Sequence, residues 1–186
     1  MACYSSQRYE ALKMLNQNNA NFFAKDDKKM SIYDNMAKED NVELFKQYIF
    51  KWLEDHKKQQ RDHGDHTAVH AAANYGSMNM LKLFIEDYQI PVDILSNKQE
   101  RRTPLHFAIF GESFPAAEYL LNKGADPNKR DSRGNSPYHF AIINSNVRFL
   151  DLLEKKGGDA RYKTVQGFNG LQLINDLLKE KKFNTP

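Results

Sequence analysis

Cysteine is almost absent: Cys3 is the single thiol in 186 residues. One thiol cannot close a disulfide within the chain, so no disulfide framework is available, and the usage fits a reducing compartment. Excess charge is scarce too. With 27 Lys and Arg against 24 Asp and Glu, the formal net charge is +3, too small for composition alone to argue for nucleic acid. No uninterrupted apolar run approaches the length of a membrane-spanning helix. A secretory hydrophobic region is missing at the N-terminus; Arg8 and Lys13 raise the question of a mitochondrial presequence, and the helical pattern around them argues against cleavage while leaving uncleaved import open. The expected location is intracellular, with the cytoplasm first. Catalytic signatures are missing as well. There is no nucleophile elbow or phosphate loop, and Gly157-Gly158 follows a helix where a phosphate cradle would precede one. The carboxylate pairs Asp26-Asp27 and Glu39-Asp40 fall in turns, where Asp is favoured for local bonding. No cofactor is expected, and the chain reads as non-enzymatic.

What the chain does have is repetition. Thr103-Pro104-Leu105-His106-Phe107-Ala108 returns 33 residues later as Ser136-Pro137-Tyr138-His139-Phe140-Ala141, and 36 residues earlier as Thr67-Ala68-Val69-His70-Ala71-Ala72. Leu120-Leu121-Asn122-Lys123-Gly124-Ala125-Asp126 has its counterpart in Leu152-Leu153 and Gly157-Gly158-Asp159. Thr103 can cap a helix, Pro104 suits its first turn, and Gly124 suits the left-handed exit from the next helix. Leu105 and Ala108 face a core. Such a unit cannot bury its apolar face alone, so a fixed period implies a stack.

Motif and period resemble the ankyrin repeat. The resemblance implies an all-α solenoid of helix-turn-helix units joined by hairpin loops, with degenerate capping repeats at both ends. The expected divisions are an N-terminal cap or half repeat over 1–27, a degenerate repeat over 28–63, repeats over 64–99, 100–132 and 133–165, and a truncated cap over 166–186. In the degenerate unit, Ser31-Ile32-Tyr33-Asp34 takes the motif's place and Val42, Phe45, Ile49, Trp52 and Leu53 form a helical stripe. There Asp40 replaces the inter-helix glycine. In the unit 100–132, Gly111 sits one place early, and the helix after Met80, Leu81, Phe84 and Ile85 ends in an expanded connection without a Gly-Ala-Asp signal.

The resemblance also implies protein–protein recognition without catalysis. The first expectation is an adaptor or accessory subunit of a larger assembly, gripping an acidic partner surface. A stand-alone inhibitor of a signalling or transcription protein is the alternative. Two surfaces are candidates. Hairpin tips carry Lys57, Lys58, Arg61, Arg101, Arg102, Lys129, Arg130 and Arg133, a cationic ladder that would steer an acidic partner. A concave face carries Tyr75, Phe107, Phe110, Phe140 and Ile143, of which Phe107 and Phe140 have packing between helices as their competing role. Aromatic residues at Tyr4, Tyr48, Phe50 and Trp52 make a third patch. Nucleic acid ranks below protein, because no aromatic platform is expected among the tips. The motif histidines His70, His106 and His139 are expected to tie neighbouring backbone together. A metal protein or enzyme built on His56, His63, His66, Asp62 and Asp65 is a remote alternative, since that spacing matches no closed zinc pattern; a solvated hairpin accounts for it better, and no metal is expected.

Overall fold

The computed structural model of the chain describes residues 32–48, 68–96 and 99–170, with Met14, Asp27 and Gln172. Within these residues the regular structure is helical apart from one isolated antiparallel bridge, Lys163 to Asn169. Helices come in pairs. The first pair is α1 (Ile32–Glu39) and α2 (Val42–Tyr48). The second is α3 (Ala68–Tyr75) and α4 (Met78–Lys82), the latter running on as a π-helical turn over Leu83–Asp87. Then come α5 (Pro104–Phe110) with α6 (Phe114–Asn122), and α7 (Pro137–Ile143) with α8 (Val147–Lys155). The first helices stack on one another, α1 on α3, α3 on α5 and α5 on α7, and each second helix packs back on its own first. This is the all-α ankyrin solenoid.

Helices this short do not hold themselves; their stability comes from the faces they bury. Ala72, Ala73, Ala108, Ala116 and Ala117 are fully buried and let neighbouring backbones approach. Phe45, Phe84, Leu105, Ile109, Leu120, Phe149 and Leu153 fill the space between. Phe45 meets Phe84 edge to face at 5.0 Å, an arrangement that aromatic rings prefer to a face-to-face sandwich. Helix α2 is thereby joined to the next pair. Pro104 and Pro137 start α5 and α7 directly after Thr103 and Ser136, both extended.

The turn within each pair is closed the same way four times. Asp40, Gly76, Glu112 and Ser145 adopt positive φ, at 49°, 70°, 55° and 54°. The next amide in each case, of Asn41, Ser77, Ser113 and Asn146, donates to the carbonyl five residues back on the first helix, at Met36, Ala72, Ala108 and Ala141. This is the Schellman closure, which satisfies carbonyls that a helix end leaves orphaned. Asp40 has a second function. Its carboxylate accepts from the amides of Asn79 and Met80 and from the Asn79 side chain, so it caps α4 of the following pair.

The early glycine of the third pair has a packing cause. Gly111 has φ −80°, and the left-handed position falls to Glu112 instead. A Cβ on Gly111 would overlap the Asn74 carbonyl of α3. The glycine therefore permits the close crossing of α5 over α3, and the turn is made by the next residue. Where the motif spacing lengthens to 36, the π-helical turn follows α4 and the chain leaves through Gln89 at φ 52°. The exits after α6 and α8 use Gly124 and Gly157, at φ 90° and 85°.

Candidate protein-binding surface

Loops between pairs run together along one edge of the stack. The Ser132 amide donates to the Glu100 carbonyl at 2.8 Å, and the Val165 amide donates to the Arg133 carbonyl at 2.9 Å. At their bases the Asp126 amide donates to the Asp93 carboxylate at 3.1 Å, and the Asp159 amide to Asn128 Oδ1 at 2.8 Å. Successive loops are thus joined backbone to backbone, and a side chain on one tip is placed relative to the next.

The motif histidines anchor these loops to the helices. His106 Nδ1 accepts from the Thr103 amide at 3.1 Å, and the Thr103 hydroxyl lies 2.8 Å away. Nδ1 is therefore the unprotonated nitrogen, and Nε2 donates to the Asn135 carbonyl at 3.1 Å. Burial pushes His106 down to about 4, a carbonyl bond from Asn135 only partly opposing it, so the ring is neutral at physiological pH. His70 Nε2 lies 3.1 Å from both the Ile94 and Arg102 carbonyls. His139 repeats the inner contact, its Nδ1 accepting from the Ser136 amide at 3.1 Å. Burial lowers His139 as well, and the Phe168 and Tyr162 carbonyls oppose that shift, although neither reaches Nε2 with ordinary hydrogen-bond geometry.

The same rings account for two residues expected on the concave face. Phe107 packs edge-on to His70 at 5.1 Å and Phe140 to His106 at 5.4 Å. Both are buried, with 7% and 8% exposed. They join each repeat to the previous one and offer no surface to a partner. Phe110 and Ile143 are open, at 60% and 56%. They occupy matching places at the ends of α5 and α7, and Tyr75 stands at the end of α3, partly exposed.

The cationic ladder divides. Lys57, Lys58 and Arg61 lie outside the described residues, as do the histidine cluster around His63 and the aromatic side chains of the N-terminal patch. Arg102 is engaged. Its Nε is 3.7 Å from Asp131 Oδ2, whose side chain is 1% exposed. Its guanidinium also lies 5.0 Å above the Phe140 ring and contacts Glu100 at 3.4 Å. Arg130 is partly engaged, donating from Nη2 to the Lys163 carbonyl at 2.7 Å and from Nε to the Gly134 carbonyl at 3.3 Å. Arg101, Lys129 and Arg133 are exposed. Three cations on or just after the second helices have partners: Lys123 pairs with Glu86 at 2.8 Å, Lys156 donates to Asn122 at 2.8 Å, and Arg148 lies 4.5 Å over Phe114.

One feature of the edge was hidden in the sequence. Tyr162, Val165 and Phe168 are exposed on the last described loop, at 41%, 73% and 41%. Exposed aromatic rings thus occur beside the tips. The 33-residue register carried the signal, because these residues match Lys129, Ser132 and Asn135 of the loop before.

A family model described as ankyrin repeats (3 copies) matches residues 34–131 and 90–164, well over half of the chain. The chain belongs to the ankyrin-repeat family. Its curated relatives include ankyrin repeat domain-containing protein 53 of Homo sapiens and of Mus musculus. Each is 39% identical over 74 residues, covering 38% of this chain and 14% of the relative. The Macaca fascicularis protein of the same name is 36% identical over 77 residues, covering 39% of this chain and 15% of the relative. The matched stretch is thus a small part of those relatives' length. Ankyrin repeats are protein–protein interaction modules and the family is generally non-catalytic. Among the described residues no cluster of metal-ligating side chains occurs, and no helix is long and apolar enough to cross a membrane.

Proposed function

We propose that this chain is a non-catalytic adaptor or accessory subunit that holds an acidic protein surface against its loop edge and the open ends of its first helices. The observation that carries this reading is an asymmetry of charge use. Lys123, Arg148 and Lys156 along the second helices meet an acid, a ring and an amide of the same chain, whereas among the described residues Arg101 and Arg133 on adjacent tips have no side-chain partner. At the other ends of the same first helices lie the exposed apolar groups Phe110 and Ile143. Apolar anchors and unneutralised guanidinium groups are what a protein interface with a carboxylate-rich partner uses, the first for affinity and the second for orientation and encounter rate.

The test is the native mass of the tagged protein in a gently prepared lysate, before and after a salt wash. A subunit is expected to migrate far above 21.6 kDa and to stay there in salt, because buried apolar contacts are not screened. A complex that falls apart in salt would instead identify a regulator steered by its charges, such as an inhibitor of a signalling protein. Migration at the monomer mass under both conditions would contradict the binding reading itself.

A further inference from the structure

We propose that Arg101 and Arg133 form a paired-guanidinium clamp for one oxyanionic side chain of the partner, a carboxylate or a phosphate. The inference rests on the protein-binding reading above and makes it specific. Three observations carry it.

The first is placement. The 2.8 Å bond from the Ser132 amide to the Glu100 carbonyl joins two tips, and Arg101 and Arg133 are the residues next in sequence to that bond. Neither is free to drift away from the other with its loop. The second is availability. Both arginines are exposed, and among the described residues neither side chain has an ion pair or hydrogen bond. Nearby acids are already engaged. Glu100 contacts Arg102 at 3.4 Å, and Asp131 faces Arg102 while its oxygens accept from the Arg133 and Asn135 amides at 2.9 and 2.8 Å. Arg130, fixed close by on the Lys163 carbonyl, adds positive potential.

The third is backbone strain. Arg101 has φ 55°, and the matching positions of the next two loops are Gly134 and Gly167, at φ 77° and 86°. The turn favours glycine, and an arginine there is held in a conformation that L side chains resist. A conformation of this kind persists where the surrounding contacts hold it in place. The side chain in question is a planar fork of N–H donors that matches a carboxylate or phosphate two bonds at a time, which a lysine at the same place could not do.

The test uses the full chain with isotope-labelled arginines, titrated with a short glutamate-rich peptide and separately with a neutral peptide carrying one phosphoserine. The clamp predicts that the Nε–H signals of Arg101 and Arg133 move together with one or both peptides, and the peptide that does so identifies the oxyanion. It predicts that R101G binds about tenfold more weakly and that the Arg133 signal no longer saturates, while the melting temperature of R101G is equal to or above that of the parent. R133S, which leaves the strained turn alone, should weaken binding to a similar extent. Signals moving equally at Arg148 and Arg161, or an Arg133 response unchanged in R101G, would overturn the clamp. So would retention of the R101G/R133S chain in the native complex at parental strength, which would leave the protein-binding reading standing; a parent chain that enters no complex would instead remove that reading.

Discussion

The imidazole of His106 touches Thr103 with one nitrogen and Asn135 with the other, so it closes a helix start and fixes the loop of the following repeat. The Thr103 contact requires the neutral form, because Nδ1 accepts there, whereas the Nε2–H bond to Asn135 would survive protonation. In the unfolded chain the ring takes a proton near 6.5, and in the fold only near 4. Because the folded value is the lower one, this contribution is complete above pH 6.5, falls as pH drops through that value, and levels off below about 4. Over that window one such ring accounts for on the order of 3 kcal/mol. His139 shifts in the same direction and adds to the slope. Urea melts of the parent and of His106→Gln, taken between pH 7.5 and pH 4.5, should show a steep loss of midpoint in the parent and a shallower one in the variant. Parallel curves would mean that His106 takes up its proton as readily in the fold as in the unfolded chain. At this scale the sequence was informative about the histidines and uninformative about the arginines. Motif position alone places His106 between two repeats. Nothing local tells Arg102 from Arg101, because the fate of Arg102 depends on Asp131 and Phe140, far along the chain, and that of Arg130 on the Lys163 carbonyl.

Among the elements, the turn between paired helices was legible in outline, but the cause of one detail was not. Gly111 sits one place early because Glu112 makes the turn, and the glycine is required by the Asn74 carbonyl of another helix. A contact between elements 37 positions apart leaves no trace in local sequence. Gly111→Ala should therefore lower stability by about 1–3 kcal/mol, the cost of forcing volume into a packed crossing, although alanine is the better helix former. A denaturant midpoint equal to the parent's, or above it, would mean that α5 and α3 do not cross so closely. The same reasoning separates Phe107 and Phe140 from Phe110. All three are apolar residues of first helices, and only the ring stack with His70 and His106 decides which are covered.

Across the whole molecule, the repeat period was enough to read the solenoid, because every unit needs the same capped start, buried leucine and left-handed exit. Which face meets a partner was only half readable. The cations of the loop edge stand out in sequence, yet their division into engaged and free members, and the exposed Tyr162, Val165 and Phe168, depend on how the loops lie against one another. The proposed partner covers the loop edge and the ends of the first helices and leaves the second helices open. Covalent footprinting of the chain alone and in its native complex tests this most directly, with modification read residue by residue. Protection is expected at Arg101, Arg133, Phe110 and Ile143, with Arg148, Lys155 and Lys156 labelled equally in both states. Protection concentrated on α8 and the other second helices, with the tips labelled as in the free chain, would contradict the account.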